Sequence, residues 1–329
     1  MFVQINFILQ FEKQCFIMCS AEGQKERNEH MKKDGIYFGL SESEYFSEDR
    51  IGSTELRTLI DSPSRFWFES FLNPLKEEKD TKPLNEGKIF HKLILEGEKA
   101  FERDYVIAPK ISPYTNEYKA WKKNQVKEIV KEDDLRKIQR IIRCIKSKKS
   151  VLDNFFKDGF PEVSILWTDE KGIKRRTRID YLKIGQLIDL KSFTDWKNQK
   201  NYCARYFWDY KVFVQLQDYM SALKAGRTLE VIKGTAKQKA FWEECCKVDE
   251  WLPWGVFVSR EIPKYEIHTY EPSKCPDLYR LGQEMIRQAQ ANFDAYFEKF
   301  GLTNTWIEEQ DPETIQFTDA DFPQMIGML

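Results

Sequence analysis

The spacing of hydrophobic positions changes near the middle of this chain. Between residues 116 and 157, Val126, Val130, Leu135, Ile138, Ile141, Ile142 and Ile145 recur among charged residues at helical spacing, the stripe that two amphipathic helices would bury. From Val163 the step becomes two. Val163, Ile165 and Trp167 alternate with smaller or polar residues, Asp169 to Gly172 supplies a hairpin turn, and Ile173 to Leu182 returns. A third strand, Gly185 to Lys191, follows after a short turn. Three consecutive short strands predict an antiparallel meander, and the helical stretches around it predict an α/β chain of the α+β or mixed kind.

Upstream, Ser53 can cap a helix through Ile60, and Ser62-Pro63 restarts one with Pro at its first position. That second helix, Ser64 to Leu72, carries Phe66, Trp67, Phe68 and Phe71; core packing is the plain reading, base stacking the sharper one. After a charged loop at residues 75–84, the run N-E-G-K-I-F-H-K-L-I-L-E-G predicts a helix buried through Ile89, Phe90, Leu93 and Ile94. Downstream, a single helix is expected over Asn201 to Ala225, strands over Trp251 to Ser259 and Tyr265 to Glu271, and a long helix from Pro276 to Phe300. The expected division is an N-terminal extension (1–34), a central domain (35–271) and a helical extension with an acidic tail (272–329).

Composition narrows the function classes. A chain of 329 residues, 41% hydrophobic, can bury a sizeable core as one large or two small domains. Its net charge of -1 leaves no bulk attraction for nucleic acid, so any such contact needs a local basic surface. The apolar start is interrupted by Gln4, Asn6, Gln10 and Glu12 and lacks a basic lead, which argues against a signal peptide or a membrane span. The seven cysteines (15, 19, 144, 203, 245, 246, 275) include no C-x-x-C pair. Their spacing suits neither a zinc site nor an iron–sulfur cluster and reads as reduced cytosolic thiols.

The candidate chemistry lies on the second and third strands of the meander. Thr177 to Lys191 reads T-R-I-D-Y-L-K-I-G-Q-L-I-D-L-K and sets Asp180 and Asp189 on neighbouring strands, with Lys191 two residues after Asp189 and on its face. Two carboxylates beside an ammonium suit a hard cation with a cationic helper; a surface ion-pair ladder is the plain alternative. On the helix before the meander, Gly87 and His91 are spaced i, i+4. A glycine inside a helix costs about 1 kcal/mol against alanine, so close approach of a backbone or ligand beside His91 would explain it; a hydrogen-bonded core histidine would not need it. Arg57 and Arg65 could meet a terminal phosphate or simply face solvent. Arg175, Arg176 and Arg178 could supply a basic track beside the acidic strands, and Glu162, at the start of the meander, is a weaker candidate.

Taken in order, Gly87-x-x-x-His91, Asp180, Asp189-Leu190-Lys191 and Gln215-x-x-x-Tyr219 resemble the PD-(D/E)XK nuclease superfamily in its RecB-like branch. The runs I-G-S-T-E-L-R-T-L-I-D-S-P and L-N-E-G-K-I-F-H-K-L-I-L-E, with the stretch Tyr206 to Tyr219, are similar to phage-type exonuclease VIII nuclease domains. The similarity spans about residues 36–225, with Ile179-Asp180 where the superfamily has Pro-Asp. It implies a restriction-endonuclease-like core with a central mixed sheet. It also implies Mg²⁺ or Mn²⁺ held by Asp180, Asp189 and the Leu190 carbonyl, with His91 as a further ligand. Lys191 would act on the water and the phosphate, and Gln215 and Tyr219 would line the substrate side; no iron–sulfur cluster is expected. The activity implied is a cytoplasmic 5'→3' exonuclease on ends of linear double-stranded DNA, assembled as a homo-oligomeric ring and working with a single-strand annealing recombination protein. A repair or CRISPR-adaptation-type flap nuclease, or a DNA-binding module without catalysis, are the alternatives.

Overall fold

The computed structural model describes residues 31–76, 82–146, 155–193, 201–301 and 304–307. Expectations for residues 1–30 and for the acidic segment from 308 onward lie outside the described residues. The chain begins with β1 (Gly35–Tyr37), α1 (Glu42–Phe46), α2 (Ser53–Asp61), α3 (Pro63–Glu69), α4 (Lys82–Leu95) and α5 (Glu98–Asp104). It continues through β2 (Tyr105–Ile107), α6 (Asn116–Lys123), β3 (Glu128–Val130) and α7 (Glu132–Lys146) to the meander β4 (Gly159–Thr168), β5 (Lys174–Lys183) and β6 (Gln186–Phe193). Then come α8 (Tyr202–Asp209), α9 (Val212–Gly226), β7 (Val231–Lys233), α10 (Ala236–Cys246), β8 (Leu252–Ser259), β9 (Tyr265–Thr269) and α11 (Pro276–Phe300).

Seven strands form one mixed sheet in the order β7-β1-β4-β5-β6-β8-β9. The meander supplies its antiparallel centre, while β6 pairs with β8 in parallel. Helices cover both faces. On one, Ile89, Phe90 and Leu93 of α4 and the α7 stripe Leu135, Ile138, Ile141, Ile142 and Ile145 bury Tyr181, Ile188, Leu190, Val256 and Val258. On the other, α9 and α10 bury Ile36, Val163, Ile165, Ile179 and Leu187. A third core joins α2, α3 and α11 through Leu56, Leu59, Phe66, Trp67, Ala289 and Trp306. Phe66 and Trp67 are therefore core, whereas Phe68 is exposed. Among the described residues no helix is long and apolar enough to cross a membrane.

Two sequence expectations are corrected. Val126 is fully exposed and Val130 lies in β3, so the first of the two charged helices ends at Lys123. The single helix over Asn201 to Ala225 is two helices, because Lys211 adopts the left-handed backbone (φ 48°) between them. The unassigned stretch after residue 226 contains α10, capped by Thr235, whose side chain accepts from the Gln238 amide at 3.3 Å.

The site sits where the sheet is irregular. Backbone pairing of β5 with β6 stops at Tyr181–Ile188, leaving Asp180 and Asp189 at the fork beyond it. Pairing of β4 with β5 passes over Glu162, opposite Asp180, and Glu162 has a left-handed backbone with φ 53°. The two-residue alternation also fails here: Ile179 and Leu182 reach the α9 core, and Tyr181 reaches the α4–α7 core. Broken pairing at a sheet fork re-aims side chains, as bulges do beside active sites.

Candidate active site

Asp180, from β5, replaces the missing strand partner of β6 by accepting the Leu190 N–H on Oδ2 at 2.7 Å. The backbone of Leu190 also hydrogen-bonds His91, which projects from α4 with Nδ1 3.9 Å from Asp180 Oδ2. Glu162 completes a group of three donors: one ligand atom each from His91, Glu162 and Asp180 lie within 4.8 Å of one another. Glu162, the weakest of the sequence candidates, thus stands at the centre. Its prominence comes from its backbone angle and its place opposite Asp180, which residue spacing does not encode.

Behind this group, Asp189 is fully buried. Its Oδ1 accepts from Lys191 Nζ at 2.7 Å and from Gln215 Nε2 at 2.9 Å. Gln215, on the first turns of α9, accepts from the same ammonium at 3.1 Å and donates to the Tyr219 hydroxyl at 2.6 Å. The expected Gln-x-x-x-Tyr pair is therefore brought to the acidic pair, but Gln215 is buried and clamps Asp189 and Lys191 instead of facing the substrate side. Tyr219 does line the cleft.

Burial sets the protonation of these groups. Desolvation, opposed by Lys191, raises Asp180 and Asp189 above the usual carboxylate range. Desolvation pushes Glu162 up to about 8 and His91 down to about 4. His91 is neutral at physiological pH, with an imidazole lone pair to offer, whereas the carboxyl groups gain most from a cation that makes their ionised forms affordable. Burial also holds the Tyr219 phenol protonated.

These residues fit a divalent metal ion. Asp189 Oδ2 is buried without a hydrogen-bond partner among the described residues, a state that costs free energy unless a cation or donor meets it. The donor set of three carboxylates and one imidazole matches a hard or borderline dication. The Leu190 backbone links the two donors, its N–H bonded to Asp180 and its peptide hydrogen-bonded to His91.

The donors open into a cleft of about 920 Å³ lined in part by Gly87, Lys88, Arg176, Arg178, Lys191 and Arg260. The expected basic track is corrected here. Arg175 is 1% exposed on the opposite side of β5, paired with Asp218 at 2.5 Å and stacked over Trp167. Arg176 reaches the cleft but is buried against Glu55 and the Glu48 carbonyl. Arg178 lies 4.1 Å over the Tyr45 ring, donates to the Ser164 hydroxyl, and sits 3.6 Å from Glu162. Arg176 and Arg178 brace the wall of the site and Arg175 lies away from it, so the three do not form an open track. Arg57, which donates to the Tyr210 carbonyl, and Arg65, paired with Glu69, lie outside the cleft lining. Arg260 was invisible in the sequence because the β8–β9 turn carries it to the cleft from far along the chain. A Cβ on Gly87 would meet Ser192 Oγ at 3.7 Å and Arg260 Nη1 at 3.9 Å, ordinary contacts, so protein packing alone does not require the glycine.

Comparison with known proteins places this geometry. No curated protein sequence matches the chain. Among solved structures, a protein from Eubacterium rectale named as a candidate exonuclease is similar at 12% identity, with 78% of this chain and 88% of that one covered and a TM-score of 0.49. The protein SSO0001 is similar at 14% identity, with 64% and 86% covered and a TM-score of 0.25. A family model described as a PDDEXK-like domain of unknown function (DUF3799) matches residues 52–248. That interval runs from the cap of α2 through β4, β5, β6 and α9, so it holds every one of the converging groups, and this chain belongs to that PD-(D/E)XK family.

Proposed function

We propose that this chain is a metal-dependent deoxyribonuclease that hydrolyses phosphodiester bonds from the ends of linear double-stranded DNA. Family membership supports a nuclease. The observation that carries the reading further is the unpartnered, buried Asp189 Oδ2 behind the convergent His91, Glu162 and Asp180 donors, with Lys191 beside them. Asp180, Asp189, Glu162 and His91 would hold Mg²⁺ or Mn²⁺, which when bound supplies Lewis-acid stabilisation of phosphate charge and lowers the pKa of water. Lys191 places its ammonium at the cleft, where it orients the attacking water and stabilises charge developing on phosphate oxygens. Gln215 fixes the ammonium and the Asp189 carboxylate in one geometry. Tyr219 offers a protonated hydroxyl at the cleft wall.

The 5'→3' direction, the ring assembly, the annealing-protein partner and a role in recombination in the cytoplasm of a bacterial or phage-infected cell rest on the resemblance to phage-type exonuclease VIII domains. The test is incubation with linear duplex, closed circular and single-stranded DNA in Mg²⁺, Mn²⁺ or EDTA. Loss of the linear duplex alone, abolished by EDTA and reduced at least about 100-fold by Asp189→Ala or Lys191→Ala, is the expected result. Cutting of closed circles would replace the exonuclease by an endonuclease. Binding without cleavage in every metal would remove the enzyme reading.

A further inference from the structure

A second convergence of donors lies on the outer edge of the sheet. Glu266 and His268 alternate on β9 and so share a face. Cys203, the second residue of α8, sits against them, and one donor atom from each of the three lies within 4.8 Å of the others. The β9 pair is two strands from Lys191, since Lys191 pairs with Phe257 and Phe257 with Glu266, or about 10 Å across the sheet. Spacing hid this group: the cysteine comes from a helix start and the other two from a strand beyond β8, so no short motif joins them.

We propose that Cys203, Glu266 and His268 form a binding site for a borderline-soft transition-metal dication of the Zn²⁺ class, separate from the hard-cation site of the cleft. Thiolate and imidazole donors favour Zn²⁺ over Mg²⁺, which prefers oxygen ligands. The donors are already drawn together: His268 Nε2 lies 3.1 Å from Glu266 Oε2, and the Cys203 thiol hydrogen-bonds the same carboxylate. Edge contact with Phe257, 5.5 Å between ring centroids, holds the imidazole plane. Cys203 is 2% exposed, whereas the Glu266 and His268 side chains are 41% and 47% exposed, so an ion enters from solvent and meets the thiol at the inner end. Binding displaces the thiol proton to solvent. Burial and the Glu266 carboxylate push the free thiol up to about 12, so the charge of the bound cation is what holds the thiolate. Three protein ligands leave a fourth position for water. The bound ion would pin the start of α8, and through it the chain leading into α9 and Gln215, to β9.

The test uses the full chain, stripped of metal and reduced, titrated with Co²⁺ and then Zn²⁺ in excess Mg²⁺. The expected result is a thiolate-to-cobalt charge-transfer band that saturates at one equivalent and bleaches on adding Zn²⁺. The band should be absent in Cys203→Ser, weakened at least about 10-fold in affinity in His268→Ala, and unchanged in Asp180→Ala. His268 is half exposed, so its variant reports on ligation without disturbing the core; circular dichroism confirms the fold of both variants. No band in the native chain, or the same band and affinity in Cys203→Ser and His268→Ala, would overturn the site. Neither result depends on nuclease activity.

Discussion

At the scale of single residues, Glu162 concentrates what this site spends on function. A non-glycine residue with φ 53° is strained, by about 1–2 kcal/mol, and strain of this kind clusters at functional positions. Its carboxyl is half-buried and largely desolvated, which raises it from 4.5 to about 8, while desolvation lowers the half-buried His91 from 6.5 to about 4. The two act on stability with opposite sign. Glu162 binds its proton more tightly folded than unfolded, so its contribution is full below about 4.5 and is lost as pH rises through about 8. His91 resists protonation when folded, so its contribution is full above 6.5 and is lost as pH falls toward about 4. Between 4.5 and 6.5 the slopes of these two groups oppose each other; from 6.5 to about 8 the His91 contribution is complete and Glu162 lowers stability, in the same sense as the raised carboxyls of Asp180, Asp189 and Asp218. The metal-free chain is therefore expected to lose stability between those two values, Glu162 contributing at most about 1.4 kcal/mol per pH unit. Glu162→Gln should flatten that segment, as urea unfolding at stepped pH would show; an unchanged slope would mean that the proton belongs to another group. Legibility at this scale was uneven. Asp180, Asp189 and Lys191 could be read because strand geometry turns i, i+2 spacing into a shared face. Glu162 could not, because its role follows from a backbone angle, and the burial of Arg175 and Arg176 could not, because sequence shows charge without partners.

At the scale of elements, the periodic segments were read well: the meander, the α7 stripe and the full span of α11 follow from spacing and caps alone. The break between α8 and α9 did not, because Tyr210-Lys211 contains no glycine, proline or asparagine to announce it. Tertiary contacts enforce it instead. Arg57 of α2 donates to the Tyr210 carbonyl at 2.7 Å, Lys211 Nζ meets Asp61 at 2.8 Å, and the turn aims α9 so that Gln215 reaches Asp189. With φ 48° at Lys211, a side chain is strained where glycine would not be. Lys211→Gly is expected to stabilise the chain by up to about 1 kcal/mol, the strain relief exceeding the loss of one exposed ion pair. Lys211→Pro, whose ring forbids that angle, is expected to cost about 3 kcal/mol or more. Thermal unfolding of the two variants checks the pair; a destabilised glycine variant would show that the Asp61 contact, not the backbone, decides the joint.

At the scale of the whole molecule, the segment expected to be a C-terminal extension closes the third core. Trp306 has no exposed surface and packs 5.6 Å from Phe66 of α3 and 5.6 Å from Phe293 of α11, its indole N–H donating to the Gly301 carbonyl at 2.8 Å. This core reaches the cleft through α2, whose Glu55 holds Arg176 on the wall of the site. The proposed metal donors come from α4 and the fork of β4, β5 and β6, which pack in the other two cores. Stability and chemistry are thus carried by different parts of one molecule, joined through α2 and through α11, which packs along α9. Trp306→Ala removes the largest fully buried side chain among the described residues, and should lower unfolding free energy by about 3–5 kcal/mol. Metal-dependent cleavage per folded molecule, measured well below the melting temperature, should stay within about 3-fold of the native chain, because a shift passed on through Glu55 to Arg176, or through the α11–α9 contact, reaches none of the proposed metal donors directly. Denaturant unfolding and a cleavage assay on the same preparation separate the two effects. Full stability with lost cleavage would place Trp306 in the path of the DNA and refute the division between a supporting core and a catalytic fork.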